Sequence, residues 1–275
     1  MKVLITVKTY PAISTKYGET VCTAGFTEEG KWIRIYPLPF RKINYKGRFH
    51  KYQWIQLDLK RNTSDFRPES FRPLDYQKVE MVGEIPSDGN LWTERRKVVL
   101  QNVYINLDRL ISEAKDRKVC TSLTTFKPTQ ILDFTYEKVD DNWDPKKIPS
   151  LESEKQQGSL FESENEEDIE NFEVVDKVPY QFRFKFADGS GKISHMMIED
   201  WETGMLYWNS LLRHQGDEHL ACEDVKKKYF EDFAKTKDYY FFLGTIKQYH
   251  NVSPNPFVII GGFRPKPIQQ LELGF

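Results

Sequence analysis

Over the first sixty residues apolar side chains recur at every second position. Val3, Ile5 and Val7 share one face of a first strand. Ile33 and Ile35 share one face of a later strand, which leaves Trp32, Arg34 and Tyr36 on the other, and Ile55, Leu57 and Leu59 alternate with Trp54, Gln56, Asp58 and Lys60. A period of two is that of a half-buried strand. Glu29-Gly30 and Asp88-Gly89 supply turns between such strands. A helix is predicted over residues 103–117, where Val103, Leu107, Leu110, Ile111 and Ala114 fall at helical spacing. Several short strands with one helix predict a small closed or partly closed barrel.

Beyond residue 178 the pattern changes. Tyr180 to Phe186 alternates rings with polar residues, turns at Asp188-Gly189 and Ser190-Gly191, and returns from Lys192 to Ile198 as a hairpin. Ile198, Trp201, Met205, Trp208 and Leu212 trace the stripe of one helix; Leu220, Val225, Tyr229 and Phe233 trace another after Gly216. Residues 239–244 and 256–263 read as two buried strands, so this half is predicted to be a smaller α+β unit of hairpins and two helices. Between the halves, residues 150–177 lose apolar positions and gain acids. Such a segment buries too little apolar area to offset its ordering entropy. Three parts are therefore expected: a β-rich domain over 1–149, a solvated acidic linker over 150–177 and an α+β domain over 178–275. Within the linker, Gly158 to Phe161 carries an apolar pair suited to docking on a domain.

Charge sharpens this division. The net charge of −1 hides 26 Lys+Arg against 19 Asp+Glu in residues 1–150, 2 against 10 in 151–177, and 12 against 12 in 178–275. A basic block next to an acidic one suits an anionic partner on the first, with the second competing for the same surface. With 39% hydrophobic residues and abundant rings the chain has the composition of a packed globule. No stretch approaches the roughly 18 to 20 apolar residues of a membrane helix, and the N-terminus turns polar too early for a signal peptide. Cys22, Cys120 and Cys222 are widely spaced and odd in number, which excludes a full disulfide framework and fits a reducing, cytoplasmic compartment.

Candidate chemistry concentrates in residues 8–73, where rings and guanidinium groups interleave. Bases stack on aromatic faces and guanidinium forks grip phosphates, so this surface suits DNA or RNA. Lys8, Arg34, Arg41, Arg61, Arg67 and Arg72 are the candidate phosphate contacts, with Tyr10, Trp32 and Tyr36 as stacking platforms. The competing reading is structural: rings on strands usually lie in cores, and the Phe-Arg-Pro triplets at 66–68, 71–73 and 263–265 can brace loops through carbonyls or through Asp65 and Glu69. In the second half, Glu199, Asp200 and Glu202 could bind a divalent metal, with His195 or His250 nearby as a general acid or base. Their commoner role at a helix start is to complement its dipole and cap its amides. His214, His219 and Cys222 lack a fourth zinc ligand. No cofactor is implied: Walker, GxGxxG, HExxH and GxSxG motifs are absent from the sequence.

The run Val21-Cys-Thr-Ala-Gly25 followed by Trp32-Ile-Arg-Ile-Tyr-Pro37 resembles the opening of OB-like modules. Over its full length the chain is similar to an uncharacterised bacterial family of dual-OB type, through NWDPKK at 142–147, QQGSLF at 156–161 and IEDWETGMLYWN at 198–209. The resemblance implies an OB-like N-terminal module whose open strand face is the binding surface. It also implies a place in prokaryotic genome defence or nucleic-acid processing, but no activity. Beyond residue 75 strand signals weaken and the paired-barrel pattern is lost. Three functions follow: nucleic-acid binding through the basic, aromatic N-terminal face; a metal-dependent enzyme on nucleic acid or nucleotides; and an assembly subunit that meets a protein partner through the C-terminal domain.

Overall fold

The alternating N-terminal segments form strands in the computed structural model, which describes residues 1–14, 18–38, 43, 48–143 and 176–268. They are β1 (Lys2–Lys8), β2 (Ala12–Ser14), β3 (Gly18–Thr27), β4 (Trp32–Leu38), β5 (Gln53–Gln56), β6 (Leu59–Arg61), β7 (Ser70–Pro73) and β8 (Glu80–Glu84). Their order is β6-β7-β4-β3-β1-β5-β8, with β2 added on β3, and the sheet curls into a half-barrel. Neighbours are antiparallel except β4 and β7, which run parallel. The curl encloses Val3, Ile5, Val21, Ile33, Ile35, Phe49, Ile55 and Leu57. Each such side chain contributes about 1.5–3 kcal/mol on burial, which sets the register of the alternating strands.

Val7 departs from the expected face. The β1–β3 register shifts between Ile5 and Val7, and Val7 packs instead with Phe26, Phe242 and Phe263 in a second core. That core lies where the half-barrel meets the rest of the chain, so the bulge lets one strand serve two cores.

After β8 come α1 (Thr93–Val99), β9 (Val103–Tyr104), α2 (Leu107–Lys115), β10 (Leu123–Phe126) and β11 (Gln130–Lys138). Helix α2 is shorter than predicted because Asn106 caps it, its side chain accepting from the Arg109 amide at 2.8 Å, while Val103 belongs to β9. The later elements are β12 (Tyr180–Ala187), β13 (Ile193–Met197), α3 (Trp201–Arg213), α4 (Glu218–Lys226), β14 (Tyr240–Thr245) and β15 (Phe257–Phe263). Two further sheets result, β15-β14-β10-β9 and β11-β12-β13. Between them and the helices Phe134, Phe182, Phe184, Tyr207, Tyr229 and Phe241 form the largest core. The class is α+β throughout.

Strand pairing divides the chain elsewhere than its charge does. β10 pairs with β14, and β11 pairs with β12 from Gln130 opposite Ala187 to Lys138 opposite Tyr180. Residues 103–138 thus join the sheets of the second half, and the change of sheet falls near residue 102 rather than 150. The acidic segment and its Gly158–Phe161 pair lie outside the described residues, save for Asp176 and Lys177. Helix α3 also turns a different face inward than its apolar stripe predicts. It buries Thr203, Gly204, Tyr207 and Ser210, while Leu212 is 81% exposed. The Tyr10 ring lies against Gly204, where an added Cβ would come within 2.2 Å of it. Among the described residues no helix is long and apolar enough to cross a membrane.

Candidate functional site

The outer face of β4 is not open. β10 and β14 lie over it, and Trp32 packs at a tilt against Phe26 and edge-on against Phe242, with ring centroids 4.1 and 5.3 Å away. Arg34 is 2% exposed and donates to Ser122 Oγ at 2.9 Å and to the Ser122 carbonyl at 3.2 Å, with Glu69 at 4.0 Å. Burial lowers its pKa against the opposing pull of Glu69 and Asp65. Arg67 is paired with Asp65 at 2.6 Å and donates to the Thr245 carbonyl at 2.5 Å. Burial pushes the Asp65 carboxyl up, but hydrogen bonds and charge from Arg67, with Ser70, hold it well below the carboxylate range. Arg61 donates to the carbonyls of Asn62, Asp65 and Ser70.

These placements correct the expected phosphate set. Arg34 and Arg67 fasten the half-barrel to Ser122 and Thr245 of the second half, and half-buried Arg61 braces the 62–70 loop through its carbonyls, so these groups spend donors on protein acceptors rather than lying bare on an open face. Trp32, packed against Phe26 and Phe242, is a core ring. Tyr10 is a clamp, donating to the Asp176 carbonyl at 2.7 Å and accepting from Trp208 Nε1 at 2.8 Å. Arg72 is exposed on β7. Arg41 lies outside the described residues. Tyr36 lines a cleft of about 880 Å³ between the two halves together with Phe66, Trp143 and Tyr180.

The acids of the second half neither cap α3 nor gather around a metal. Asp200 occupies the N-cap position but its side chain makes no cap hydrogen bond; Lys51 Nζ donates to its Oδ1 at 2.7 Å. Glu202 receives Arg264 at 2.9 Å and lies 3.3 Å from Lys51. Burial opposes ionisation of both. For Glu202, Lys51 and Arg264 outweigh it and hold the pKa at about 2; for Asp200, buried entirely, the pKa stays raised. Glu199 has its pKa raised by burial, and His195 is exposed on β13 opposite Lys185. His214 pairs with Asp224 at 2.9 Å. His250 is fully buried, held by the Ala114 carbonyl and Thr245 Oγ1 at 2.8 Å each. No group of three His, Cys, Asp or Glu among the described residues is placed to hold a metal.

What the fold does assemble is a pocket of about 420 Å³ where β1, the loop before β5, the start of α1, the start of α3 and the end of β15 converge. Lys8, Lys51, Arg95 and Arg264 line it, with Tyr52, Trp92 and Trp201 as ring walls, His50 exposed and Glu202 as the lining carboxylate. Lys8 Nζ lies 5.7 Å from the Trp201 ring centroid, and the Arg95 guanidinium 4.0 Å from that of Tyr52 and 5.1 Å from that of Trp92. Among the described residues Lys8, Lys51, Arg95 and Arg264 share this space with Glu202; Asp200 pairs with Lys51, and the Glu84 and Asp88 carboxylates act on the Arg95 charge. Burial first and Lys51 second lower the Lys8 pKa to about 8, with Glu202 and Asp200 opposing. Of the expected contacts only Lys8 reaches this pocket. The runs Lys51-Tyr-Gln-Trp54 and Trp92-Thr-Glu-Arg-Arg96 interleave rings and cations as densely as residues 32–41, and the same rule applied to them points to Lys51 and Arg95.

Residues 1–101 match the family Domain of unknown function (DUF8758), and residues 104–274 match a second, Domain of unknown function (DUF8757). The boundary between the matches coincides with the change of sheet near residue 102. No curated protein matches the chain.

Proposed function

The chain belongs to the family of the longer match, Domain of unknown function (DUF8757), and we propose that it is a nucleic-acid-binding protein whose contact surface is the pocket around Lys8, Lys51, Arg95 and Arg264. Neither family description names an activity, so the reading rests on chemistry. The observation that carries it is the excess of cations over carboxylates in a space walled by Tyr52, Trp92 and Trp201. Phosphate answers the first feature and a stacked base the second, and base stacking contributes about 1–3 kcal/mol per base whatever the sequence. In this reading the contact lies at the junction with α3 rather than on the β4 face expected from the sequence.

Fluorescence anisotropy of a labelled single-stranded oligonucleotide at two salt concentrations tests this. For two or three neutralised phosphates the affinity falls by roughly tenfold between 50 and 200 mM salt. An affinity indifferent to salt, or no binding to single- or double-stranded DNA or RNA at low salt, overturns the reading. Binding to a protein partner in place of nucleic acid would favour an assembly subunit instead.

A further inference from the structure

We infer that the cleft of about 880 Å³ between the two halves takes a guanine base, held through its adjacent ring N–H and exocyclic amine on the carboxylate of Glu199. The inference rests on the nucleic-acid reading above for the source of the base, and the cleft is a site apart from the pocket around Lys51.

Glu199 is the first support. Its amide donates to the Ile259 carbonyl at 2.8 Å, and its own carbonyl accepts from the Tyr10 amide at 2.9 Å, so the backbone is clamped between β15 and the segment that follows β1. Successive residues of an extended segment point to opposite sides. Asp200 reaches Lys51 in the neighbouring pocket, whereas Glu199 lines the cleft. There it is half-buried, and among the described residues its carboxylate meets no hydrogen-bond donor and no cation. Burial raises its pKa with nothing opposing it. A carboxylate drawn out of water without a partner is costly, and a ligand that brings donors offsets that cost.

The remaining wall is the second support. Each cation on it already donates to a protein acceptor: Arg34 to the Ser122 hydroxyl, Arg67 to the Asp65 carboxylate, Lys177 to the Asn142 carbonyl and Lys247 to the Ser64 carbonyl. None of these donors reaches Glu199. Met197, Ile198, Val258 and Ile260 give the same wall an apolar surface, and Phe66, 48% exposed, and Tyr180 add rings to it. The volume lies within the range of about 300–1,000 Å³ usual for small-molecule sites. A flat, largely apolar body with N–H donors along one edge fits such a space, and that is the form of a base splayed out of a strand.

The arrangement of donors selects the base. Two carboxylate oxygens side by side accept two parallel N–H groups. Guanine offers that pair, its ring N–H beside its exocyclic amine. Adenine and cytosine set a ring acceptor beside the amine, which would face a carboxylate oxygen, and uracil flanks its single N–H with two carbonyls. Each of these leaves an oxygen of Glu199 without a donor.

Isothermal titration calorimetry on the full chain tests this with guanosine, inosine, adenosine, cytidine and uridine, which carry no phosphate for the pocket around Lys51. Benzamidinium, which presents the same two donors on an organic cation, is the comparison. Guanosine should bind about tenfold tighter than inosine, which lacks the exocyclic amine, and tighter than the other three. Glu199→Gln turns one acceptor into a donor, so guanosine affinity should fall about tenfold and adenosine should become the preferred ligand. A residue with only a structural role would lower all affinities alike. If circular dichroism shows that Glu199→Gln does not fold, the panel on the unaltered chain decides by itself. Equal affinity for all five nucleosides, no nucleoside binding, or benzamidinium binding without guanosine overturns the inference. When oligonucleotides bind and guanosine does not, the nucleic-acid reading stands and the cleft assignment falls. When guanosine binds and no strand does, the nucleic-acid reading falls and the cleft survives as a nucleoside site.

Discussion

Arg34 and Arg95 sit about sixty positions apart in the same basic half of the chain, both nearly out of reach of water, and the fold treats them in opposite ways. Around Arg34, Ser122, Glu69 and the neighbouring Arg67–Asp65 pair supply an acceptor for the charge and connect the half-barrel to β10 and β14. Around Arg95 there is a carbonyl, two ring faces and a pocket. Burial alone therefore does not separate a structural guanidinium from one suited to a ligand. The supply of counter-ions does, and it is set by which strands the fold brings alongside.

The sharpest way to break this comparison is to remove each charge in turn and measure unfolding. Arg34→Ala leaves Glu69 and Ser122 enclosed without their partner, and the loss should be about 3–5 kcal/mol, seen as a large fall in the denaturant midpoint. Arg95→Met removes a charge that no described carboxylate meets within 4.0 Å, with Glu84 and Asp88 acting only at longer range, so its effect should stay within about 1 kcal/mol. Equal losses would mean that Arg95 is structural after all.

A smaller effect should appear on acidification. The Asp65 carboxyl titrates below its ordinary range in the folded chain because Arg67 and Ser70 favour its charged form over the cost of burial. A depressed folded pKa contributes stability that is complete above the unfolded value of about 4 and is lost as pH falls below it. Asp65→Asn should be less stable at pH 7 and should lose less on going from pH 5 to pH 3, measured by thermal unfolding across that range.

The smallest concerns the pocket. Lys8, whose pKa burial and the charge of Lys51 lower to about 8 against Glu202 and Asp200, shares the space with His50, Arg95 and Arg264. Its charge is present below pH 8 and lost above, so affinity for a single-stranded oligonucleotide should fall by about two- to fivefold between pH 7 and pH 9. In Lys8→Met that slope should vanish, since the phosphodiesters keep their charge throughout the interval. A slope that persists would place the titrating group elsewhere.

Much of the architecture was legible as pattern. Alternation located β1, β4, β5 and β12, because a strand with one face in a core must repeat every second residue. The class followed from the mixture of periods. Val7 and α3 were misplaced for one reason: periodicity reports which residues can share a face, and a bulge or a close-packed glycine changes which face is covered. Gly204 lies under the Tyr10 ring, so α3 turns its small residues inward and leaves Leu212 outside.

The site was less legible. Rings interleaved with arginines mark either a core brace or a binding surface, and the composition of the run around Arg34 is the same in both cases. Local order along the chain determined the strands, the α+β mixture and the basic character of the first half, since each depends on neighbours a few residues apart. Whether a given cation meets a carboxylate, a carbonyl or a vacant space depends on strands a hundred residues away, such as β10 and β14 over β4, or α3 against β1. Electrostatic pairing acts over a few ångströms in space, and only the tertiary structure determines which residues fall within that reach.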